Sequence, residues 1–416
     1  MKICDLTQFY SPVSGGVKRY IAEKVAYLRQ HGAPGDRHVL VVPGERTTLE
    51  EGERSRVYHI RSPLVSRTAQ YRMLLNLRAV ERILESERPD LIESNDPYQL
   101  AWKALASGRA LGIPVVGFYH SHFAEANVRT AMKYFGQAVT EMMMEITRRY
   151  VRYVYNQCAR TFVPSAPLAA VLREWGVENV STVDLGVDAD TFRPEENSAE
   201  SDATRAALGL PARGTAVILL YVGRLSPEKN VTTLFDAFDQ LRSGSQFSTL
   251  NSQSFPCHLL IVGDGQQRAL LQALQARHPR AVTWQPYCAD KHELARLYRA
   301  ADLFVHPGVQ ETFGLVTLEA QACGTPVVGI RGSYMDRIVL GDLLVHWAEK
   351  NTPAALATAI AGLARRGPAD LRALGLGTSA PVRKRYAWQH AFDRLFAAYR
   401  VTIATEAARR QRNRTA

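Results

Sequence analysis

The sequence predicts an α/β protein built from two doubly wound, parallel-sheet domains. Short β-rich runs alternate with helical patterns in two successive series, which is typical of parallel βαβ units. The chain has 416 residues, more than one ordinary hydrophobic core organises, and this length fits two domains of about 200 residues each. The segment from about 190 to 214 is polar and charged, so we expect the connection between the domains there.

The first series contains six apolar runs that predict strands, and the first run is followed by a helical pattern. Val17, Tyr20, Ile21, Val25 and Leu28 form the apolar face of that helix. Nearly continuous apolar runs are expected of strands that a parallel sheet buries on both faces. The runs are KICDL (2–6), HVLVV (38–42), RVYHI (56–60), DLIES (90–94), PVVGFY (114–119) and TFVPS (161–165).

The second series contains six further strand-like runs. Near its end, Leu315, Leu318 and Ala322 recur at helical intervals and Gly324 can end the helix, which predicts a helix from about Gly314 to Cys323. The runs are AVILLYVGR (216–224), HLLIVGDG (258–265), AVTWQ (281–285), DLFVHP (302–307), TPVVGI (325–330) and DLLVHW (342–347).

These patterns divide the chain into predicted domains. The first Rossmann-like domain is predicted to span 1–190 and the second 191–383. A Ser- and Gln-rich stretch at about 243–256 is expected to be a surface loop. The basic residues 401–416 are expected to form a disordered tail.

Composition narrows the class of protein and its partners. The chain has 51 basic and 40 acidic residues, a net charge of +11, which favours anionic partners such as nucleotides, phosphorylated substrates or an acidic membrane surface. No apolar run is long enough to span a bilayer and the N-terminus lacks a signal-peptide pattern, so we expect a cytoplasmic protein. The five cysteines are scattered, without a C-x-x-C pair, and are expected to be reduced.

Two glutamates near the predicted helix at 314–323 are the most informative feature of the chain. Glu311 precedes the helix and Glu319 lies within it, eight positions later. The N-terminus of a helix attracts anions because its first amides are unpaired and the macrodipole is positive there. Two carboxylates that bind hydroxyl groups on either side of a phosphate would suit a nucleotide sugar. The alternative is an amphipathic helix whose two glutamates face water.

Other residues follow predicted strands, where ligands bind in open α/β sheets. Gly15 and Gly16 begin a helix, where a diphosphate could approach the backbone. Arg224 and Lys229, in GRLSPEKN, supply a planar fork and a mobile point charge that suit two adjacent phosphates. The alternatives are an ordinary turn at the glycines and two solvated loop cations.

Gly263 and Gly265, in the VGDG segment, also follow a predicted strand. They are expected either to lie near a nucleotide base or simply to form a tight turn.

Metal sites are disfavoured. His120 and His122 lie on one face of a predicted strand end, but no third ligand supports zinc, and one imidazole that bonds a sugar hydroxyl is the preferred interpretation. Asp188 and Asp190 form a D-x-D at the head of the inter-domain connection, where nearby cations already supply positive potential.

Nicotinamide dehydrogenases, ATPases and nucleic-acid-binding proteins are also disfavoured by the sequence. No Gly-x-Gly-x-x-Gly follows the first strand and no P-loop lysine signature occurs, which argues against a nicotinamide dehydrogenase or an ATPase. The basic residues are scattered and no aromatic platform lies among them, so nucleic acid is not an expected partner.

A long helical pattern from about 128 to 158 carries Lys133, Arg148, Arg149 and Arg152. It is interpreted either as a surface that lies on an anionic bilayer, at the inner face of the membrane, or as a helix whose methionines and tyrosines belong to the core.

Together these motifs resemble, in order and spacing, the family 4 retaining glycosyltransferases. The motifs are Gly15-Gly16, His120, GRLSPEKN, VGDG, ELARLYRAADLFVHP and ETFGLVTLEA, and the resemblance covers nearly the whole chain. It implies a GT-B fold, two Rossmann-like domains facing a central cleft, with the donor bound mainly by the second domain and the acceptor by the first. It also implies that a last helix at 384–400 returns to the first domain.

The resemblance further implies roles for individual residues. Glu311 would bind the donor sugar, Glu319 the ribose hydroxyls, and His120 a donor-sugar hydroxyl, while Arg224 and Lys229 would neutralise the diphosphate. Backbone amides would assist at Gly16 and along Phe313, Gly314, Leu315 and Val316. Such enzymes need no metal or other cofactor, since the nucleotide sugar is a co-substrate.

The resemblance makes a hexosyltransferase the preferred hypothesis, with a UDP-sugar favoured as donor, GDP-mannose next, and a lipid or glycan as acceptor. FYHSHF is similar to the corresponding segment of glycolipid-forming members. The family often has Pro at the position of Thr312 and Ser at that of Gly308, which affects only loop detail. The alternatives are a GT-B-like nucleotide-sugar epimerase and a non-catalytic protein that binds a nucleotide sugar or a membrane surface.

Overall fold

A computed structural model of the chain describes residues 1–11, 15–66, 70–120, 136–243, 256–309, 313–340 and 347–415. The chain divides into two compact units. Unit 1 comprises Met1–Leu185 and Trp388–Ala416, and unit 2 comprises Gly186–Ala387. The boundaries predicted from sequence were 190/191 and 383/384.

Unit 1 is organised around an eight-stranded sheet in which neighbouring strands are parallel, except for the pair formed by β3 and β4. In spatial order the strands are β10 (Val180–Thr182), β9 (Arg160–Val163), β8 (Val115–Phe118), β7 (Leu91–Ser94), β1 (Lys2–Leu6), β2 (Arg37–Gly44), β4 (Ser55–Arg61) and β3 (Thr48–Glu51). A separate antiparallel pair is formed by β5 (Leu64–Ser66) and β6 (Tyr71–Arg72).

Helices join the parallel strands of unit 1 and contribute apolar side chains to its core. Leu84, Leu100 and Leu168, from three different helices, belong to the same buried cluster as the strand residues Val41 and Ile92. The helices are α1 (Gly16–His31), α2 (Leu77–Glu87), α3 (Gln99–Leu111), α4 (Gln137–Tyr155), α5 (Ala166–Glu174) and α13 (Trp388–Thr415).

Unit 2 has a six-stranded, fully parallel sheet. All six residues of its strand Cys257–Val262 are buried, as expected when helices cover both faces of a parallel sheet. In spatial order the strands are β13 (Val282–Gln285), β12 (Cys257–Val262), β11 (Val217–Val222), β14 (Leu303–His306), β15 (Val327–Ile330) and β16 (Trp347–Ala348).

The helices of unit 2 pack on this sheet, and two 3₁₀ turns lie at Pro227–Lys229 and Tyr334–Arg337. The α-helices are α6 (Ala199–Ala207), α7 (Val231–Ser243), α8 (Arg268–Arg277), α9 (Lys291–Ala300), α10 (Leu315–Ala322), α11 (Pro353–Ala364) and α12 (Gly367–Tyr386).

The fold class predicted from the sequence is confirmed. Eleven predicted strand runs coincide with observed strands, and only Trp347 of the twelfth, DLLVHW, lies within the described residues. The sequence pattern missed β3, β5, β6 and β10, which are short. All four residues of β3 are exposed, so this strand has no apolar run by which it could be recognised. Residues 244–255 of the predicted surface loop lie outside the described residues.

The basic C-terminal segment is helical up to Thr415, which corrects the expectation of a disordered tail from residue 401. Helix α13 packs on α1, where the Tyr27 and Phe396 rings lie 5.1 Å apart. Thr402, beyond the predicted end of the helix, is only 4% exposed. The prediction from composition failed because basic side chains dominate the charge of this segment, whereas only a few buried positions hold it against unit 1.

None of the helices in the described ranges combines the length and the apolar content that a membrane span requires. All five cysteines are free thiols, and only Cys288 is not buried.

Candidate functional site

Each sheet has one place where the connections change direction, and ligands of doubly wound sheets bind there beyond the carboxyl ends of the strands. In unit 1 this place lies between β1 and β7, and in unit 2 it lies between β11 and β14. The residues after these strands are therefore the candidates for a site in each unit.

In unit 2, the loop after β11 carries both predicted phosphate-binding cations. Its turn Pro227–Lys229 is followed by Asn230, whose left-handed backbone has φ 55°. The Asn230 side chain donates to the backbone carbonyl of Pro307, after β14, at 2.8 Å, and to Asn351 Oδ1 at 2.8 Å. Lys229 is thereby held beside the loop that follows β14.

Arg224 lies in the same loop and reaches solvent. Its side chain is 47% exposed, and its backbone carbonyl accepts a hydrogen bond from Tyr221 at 2.9 Å. The Glu228 carboxylate lies 3.9 Å from the guanidinium, so Arg224 is only weakly paired in the described contacts. The structure thus brings the two predicted cations into one loop at the carboxyl edge of the sheet.

Gly263 and Gly265 pack directly against the backbone of this loop. A Cβ at Gly263 would lie 2.0 Å from the Gly223 carbonyl oxygen, and one at Gly265 would lie 2.4 Å from that of Leu225. Neither position can hold a larger residue without moving the backbone that leads to Arg224. This geometry gives both glycines a packing role, and their contact with a nucleotide base stays a prediction.

Helix α10 begins where the sequence predicted an anion site. Gly314 precedes it with φ 85°, a conformation that favours glycine. Phe313 is buried against the Tyr386 ring at 6.1 Å and beneath the Arg337 guanidinium at 5.5 Å, which fixes the approach to the helix. Leu315 and Val316 form the first turn, whose amides have no acceptor within a helix.

Glu319 does not face water. It is 2% exposed, and its Oε2 accepts a hydrogen bond at 3.0 Å from the hydroxyl of Tyr298, which is completely buried on α9. The interpretation of α10 as an amphipathic helix with a solvated Glu319 is therefore wrong. Glu311 lies outside the described residues, so its role stays a prediction.

In unit 1, Gly15 and Gly16 are exposed at the start of α1. A Cβ added to either residue would meet nothing within 4 Å. Packing within unit 1 therefore does not require glycine here, in contrast to Gly263 and Gly265. The open space at the helix N-terminus is compatible with the predicted approach of a diphosphate.

His120 follows β8 and is half-buried. Its ring stacks on Phe118, with centroids 4.0 Å apart and planes inclined by 9°, and its Nε2 lies 2.7 Å from Asn95 Oδ1. Burial, helped by the Lys24 ammonium, lowers the pKa of His120 to about 3. The imidazole is therefore neutral at physiological pH. His122, its predicted partner in a metal pair, lies outside the described residues.

A buried ionic cluster lies behind His120. Lys24 Nζ is 3.0 Å from Asp5 and 2.8 Å from Glu93, and all three side chains are fully buried. Burial alone would raise the pKa of Asp5, but Lys24 and His38 hold it well below its usual range. Burial raises the pKa of Glu93 to about 7. The Tyr399 hydroxyl, on α13, lies 3.2 Å from Lys24 and also contacts Glu93.

The first aspartate of the D-x-D, Asp188, has a structural role. Asp188 accepts from the Thr191 hydroxyl at 2.7 Å and from the Asp190 amide at 3.2 Å, and its carboxylate pairs with Lys291 at 2.5 Å. These bonds occupy the carboxylate that a metal would need. Across the described ranges, no three His, Cys, Asp or Glu side chains are grouped as metal ligands.

Neither Asn95 nor Asp96 was predicted as a site residue, although both directly follow the predicted strand DLIES. Asp96 is 3% exposed and accepts from the Gln8 amide at 2.6 Å, and burial raises its pKa to about 6. The rule that ligands bind beyond strand ends could have identified both residues. Tyr298, the partner of Glu319, carried no such signal because it lies inside a helix.

Helix α4 exposes an apolar stripe. Val139, Met142, Ile146 and Tyr153 are 37–60% exposed at helical spacing, with Arg149 between them at 71% exposure. The expectation that such methionines and tyrosines belong to the core is wrong for Met142 and Tyr153. Lys133, part of the predicted basic helix, lies outside the described residues.

Two family models match most of the chain. The model described as Glycosyltransferase Family 4 matches residues 14–191, and the model described as Glycosyl transferases group 1 matches residues 207–372. The first match ends close to the boundary of unit 1, and the second lies within unit 2.

Curated relatives and solved structures agree with these matches. The chain is 29% identical over 373 residues, 88% of each protein, to a GDP-mannose-dependent alpha-(1-6)-phosphatidylinositol dimannoside mannosyltransferase of Mycobacterium tuberculosis. It is 29% identical over 337 residues, 80% of this chain and 72% of the relative, to a GDP-mannose-dependent alpha-mannosyltransferase of Corynebacterium glutamicum. The structure of sucrose-phosphate synthase from Thermosynechococcus elongatus matches with a TM-score of 0.74 at 22% identity, covering 97% of this chain and 99% of that one.

Proposed function

Since the chain belongs to the family 4 glycosyltransferases of GT-B fold and is a nucleotide-sugar-dependent hexosyltransferase, we propose that it transfers mannose from GDP-mannose to a hydroxyl of a glycolipid acceptor, with retention of anomeric configuration. The observation that carries this proposal is the cationic loop of unit 2. Arg224 and Lys229 lie in one loop that is tied to the loop after β14, and α10 begins a few residues further on.

Unit 2 is proposed to bind the donor. The diphosphate would lie against Arg224, Lys229 and the first amides of α10, because these groups supply the positive potential that two adjacent phosphates need. Glu319 would bind the ribose hydroxyls with its carboxylate, whose Oε2 accepts from Tyr298. Tyr298 then acts by orienting this carboxylate inside the protein.

Unit 1 is proposed to bind the acceptor and to contribute Gly15, Gly16 and His120 to the reaction. The open backbone at Gly15 and Gly16 would lie against the diphosphate, and the neutral His120 would bond a hydroxyl of the donor sugar. A neutral imidazole suits a hydroxyl because it adds no charge to the reacting centre.

The chemistry is electrostatic. Negative charge grows on the diphosphate as the glycosidic bond breaks, and preorganised cations and amides stabilise that charge without reorganising. The leaving phosphate itself would accept the proton of the acceptor hydroxyl, which attacks from the same face, so configuration is retained. This path needs no protein nucleophile.

The relatives change the expected order of donors. The motifs of the sequence favour a UDP-sugar, with GDP-mannose next, whereas both mannosyltransferase relatives are named for GDP-mannose. The names of the relatives also favour a lipid acceptor, since one of them acts on a phosphatidylinositol dimannoside.

The first test is a donor panel. The purified protein is incubated with GDP-mannose, UDP-glucose, UDP-galactose or ADP-glucose, with EDTA, and with or without a phospholipid extract that contains mannosylated phosphatidylinositol. We expect release of GDP alone, strongly increased by the extract and unchanged by EDTA, because Arg224 and Lys229 supply the charge that a metal would otherwise supply. Chromatography of the nucleotide and mass spectrometry of the lipid product measure both substrates.

Other outcomes of the panel correct the proposal in defined ways. Release of UDP alone would replace the donor and leave the transfer reaction intact. Release of no nucleotide from any donor would overturn the proposed function.

A glycolipid acceptor requires contact with a membrane surface, and the exposed stripe of α4 is the proposed contact. Ile146→Asp is expected to weaken binding to vesicles that contain phosphatidylinositol about tenfold or more, because burial of such a side chain contributes about 1.5–3 kcal/mol. Co-sedimentation with vesicles measures the change.

Val401→Asp is the matched control for this experiment, since Val401 is 54% exposed on another helix of unit 1. Equal binding of the Ile146→Asp variant and the wild-type protein would exclude this stripe as the contact.

A further inference from the structure

A line of buried hydrogen bonds leads from the interior of unit 1 to His120. Lys24 Nζ lies 3.0 Å from both oxygens of Asp5, Asp5 Oδ1 lies 3.2 Å from Asn95 Nδ2, and Asn95 Oδ1 lies 2.7 Å from His120 Nε2. Asp5 and Asn95 are 0% and 3% exposed, so water does not compete for these bonds.

The direction of each bond is fixed by chemistry. The Asp5 carboxylate, held ionised by Lys24, can only accept, so the amide nitrogen of Asn95 must face it. The amide oxygen of Asn95 then faces His120, and this oxygen also can only accept. His120 Nε2 must therefore carry a proton.

Among the described residues, the aromatic rings that contact His120 are consistent with this assignment. The Phe118 ring stacks on one face of the imidazole and the Tyr20 ring packs against it at 4.8 Å, which fixes its orientation. Burial raises the pKa of Tyr20 well above its usual value, so its phenol stays neutral. In the described part of unit 1, the charged or titratable groups on the elements packed around the ring are Asp5, Tyr20, Lys24, His38, Glu93 and Tyr399.

We infer that Asn95 is a positioning residue that holds His120 as the neutral tautomer protonated on Nε2, with Nδ1 unprotonated. Nδ1 can then only accept a hydrogen bond. An unprotonated nitrogen binds a sugar hydroxyl as an acceptor and does not donate to a phosphate oxygen. The assigned tautomer rests on the contacts within unit 1, whereas its use on the donor sugar rests on the proposed function.

The tautomer can be measured without any substrate. Protein labelled with ¹⁵N-histidine gives two-bond ¹H–¹⁵N correlation spectra that distinguish a protonated from an unprotonated ring nitrogen, and His120→Ala identifies the His120 signals among those of the 11 histidines. We expect a protonated Nε2 and an unprotonated Nδ1 that do not change between about pH 6 and pH 8, well above the lowered pKa of His120. A protonated Nδ1 in the wild-type protein would overturn the inference.

Asn95→Leu removes the acceptor at similar volume. In this variant we expect signals of both tautomers, and a kcat lower by about 10- to 100-fold with little change in KM, as when a residue that orients a catalytic imidazole is lost. Spectra that match the wild-type tautomer would show that Asn95 does not determine it, and would also overturn the inference.

A double-mutant cycle separates this inference from the proposed function. If Asn95 acts through His120, Asn95→Leu lowers kcat far less in the His120→Ala background than in the wild-type background. Equal losses in both backgrounds would contradict the positioning role. A His120→Ala variant with wild-type activity would remove the proposed catalytic role of His120, while the spectra would still decide whether Asn95 sets its tautomer.

Discussion

Lys229→Ala is expected to lower kcat/KM by about 100- to 1,000-fold, the loss found when one preorganised group that stabilises developing negative charge is removed. Lys229 lies at the end of the turn Pro227–Lys229, which Asn230 ties to the Pro307 carbonyl at 2.8 Å. The backbone that carries the ammonium is therefore already fixed before the donor arrives. Its removal leaves part of the charge on the leaving diphosphate unneutralised.

The rate of nucleotide release at several donor concentrations measures this effect, and circular dichroism shows whether the variant is folded. Lys229→Arg is expected to recover only part of the activity, because a planar guanidinium does not replace a compact point charge in a fixed loop.

Arg277→Ala is the matched control for charge. Arg277 is 52% exposed at the C-terminus of α8, just before β13 begins and thus toward the opposite edge of the unit 2 sheet, and it pairs with Asp239 at 2.5 Å. Its loss changes the net charge of the chain as Lys229→Ala does, and we expect wild-type kinetics. Wild-type kinetics in Lys229→Ala itself would show that the diphosphate is bound elsewhere.

Lys24→Met is expected to destabilise unit 1 by about 3–5 kcal/mol, because it removes one partner of a buried ion pair and leaves the Asp5 carboxylate without its main counter-charge. For a unit of this size the loss corresponds to a melting temperature lower by about 6–20 °C. Differential scanning calorimetry measures the shift.

A surface ion pair provides the comparison. Lys103 lies 2.9 Å from Glu81, nearly the same separation as in the buried cluster, but Glu81 is 43% exposed. Lys103→Met is expected to cost about 0–1 kcal/mol, since water replaces the lost partner. Equal melting temperatures for the Lys24→Met and Lys103→Met variants would show that burial does not strengthen the cluster around Asp5.

The two lysines that these predictions compare differ in their partners, which the sequence could not anticipate. Helical spacing from Tyr20, Ile21 and Leu28 places Lys24 on the apolar face of α1, but the periodicity does not reveal which groups pair with it there. In the structure it is fully buried between strands β1 and β7 and contacts Tyr399, 375 positions later in the chain. These partners become neighbours of Lys24 only when β1, β7 and α13 pack against α1.

In the candidate site, too, some relations between residues could be predicted from the sequence and others could not. Spacing and strand ends were sufficient to predict that Arg224 and Lys229 lie in one loop and that α10 begins near Gly314, because these relations are local. The burial of Glu319 against Tyr298 and the bond between Asn95 and His120 join separate elements, and no local pattern encodes them.

Hydrophobic periodicity and turn residues act over a few positions, so the amino-acid pattern alone predicts the two parallel-sheet units and the positions of the loops that follow their strands. Contacts between distant parts of the chain establish which polar side chains pair in the interior, which nitrogen of His120 carries a proton, and that the basic C-terminal segment is a helix. Each of these depends on groups that become neighbours only when distant parts of the chain pack together and exclude water.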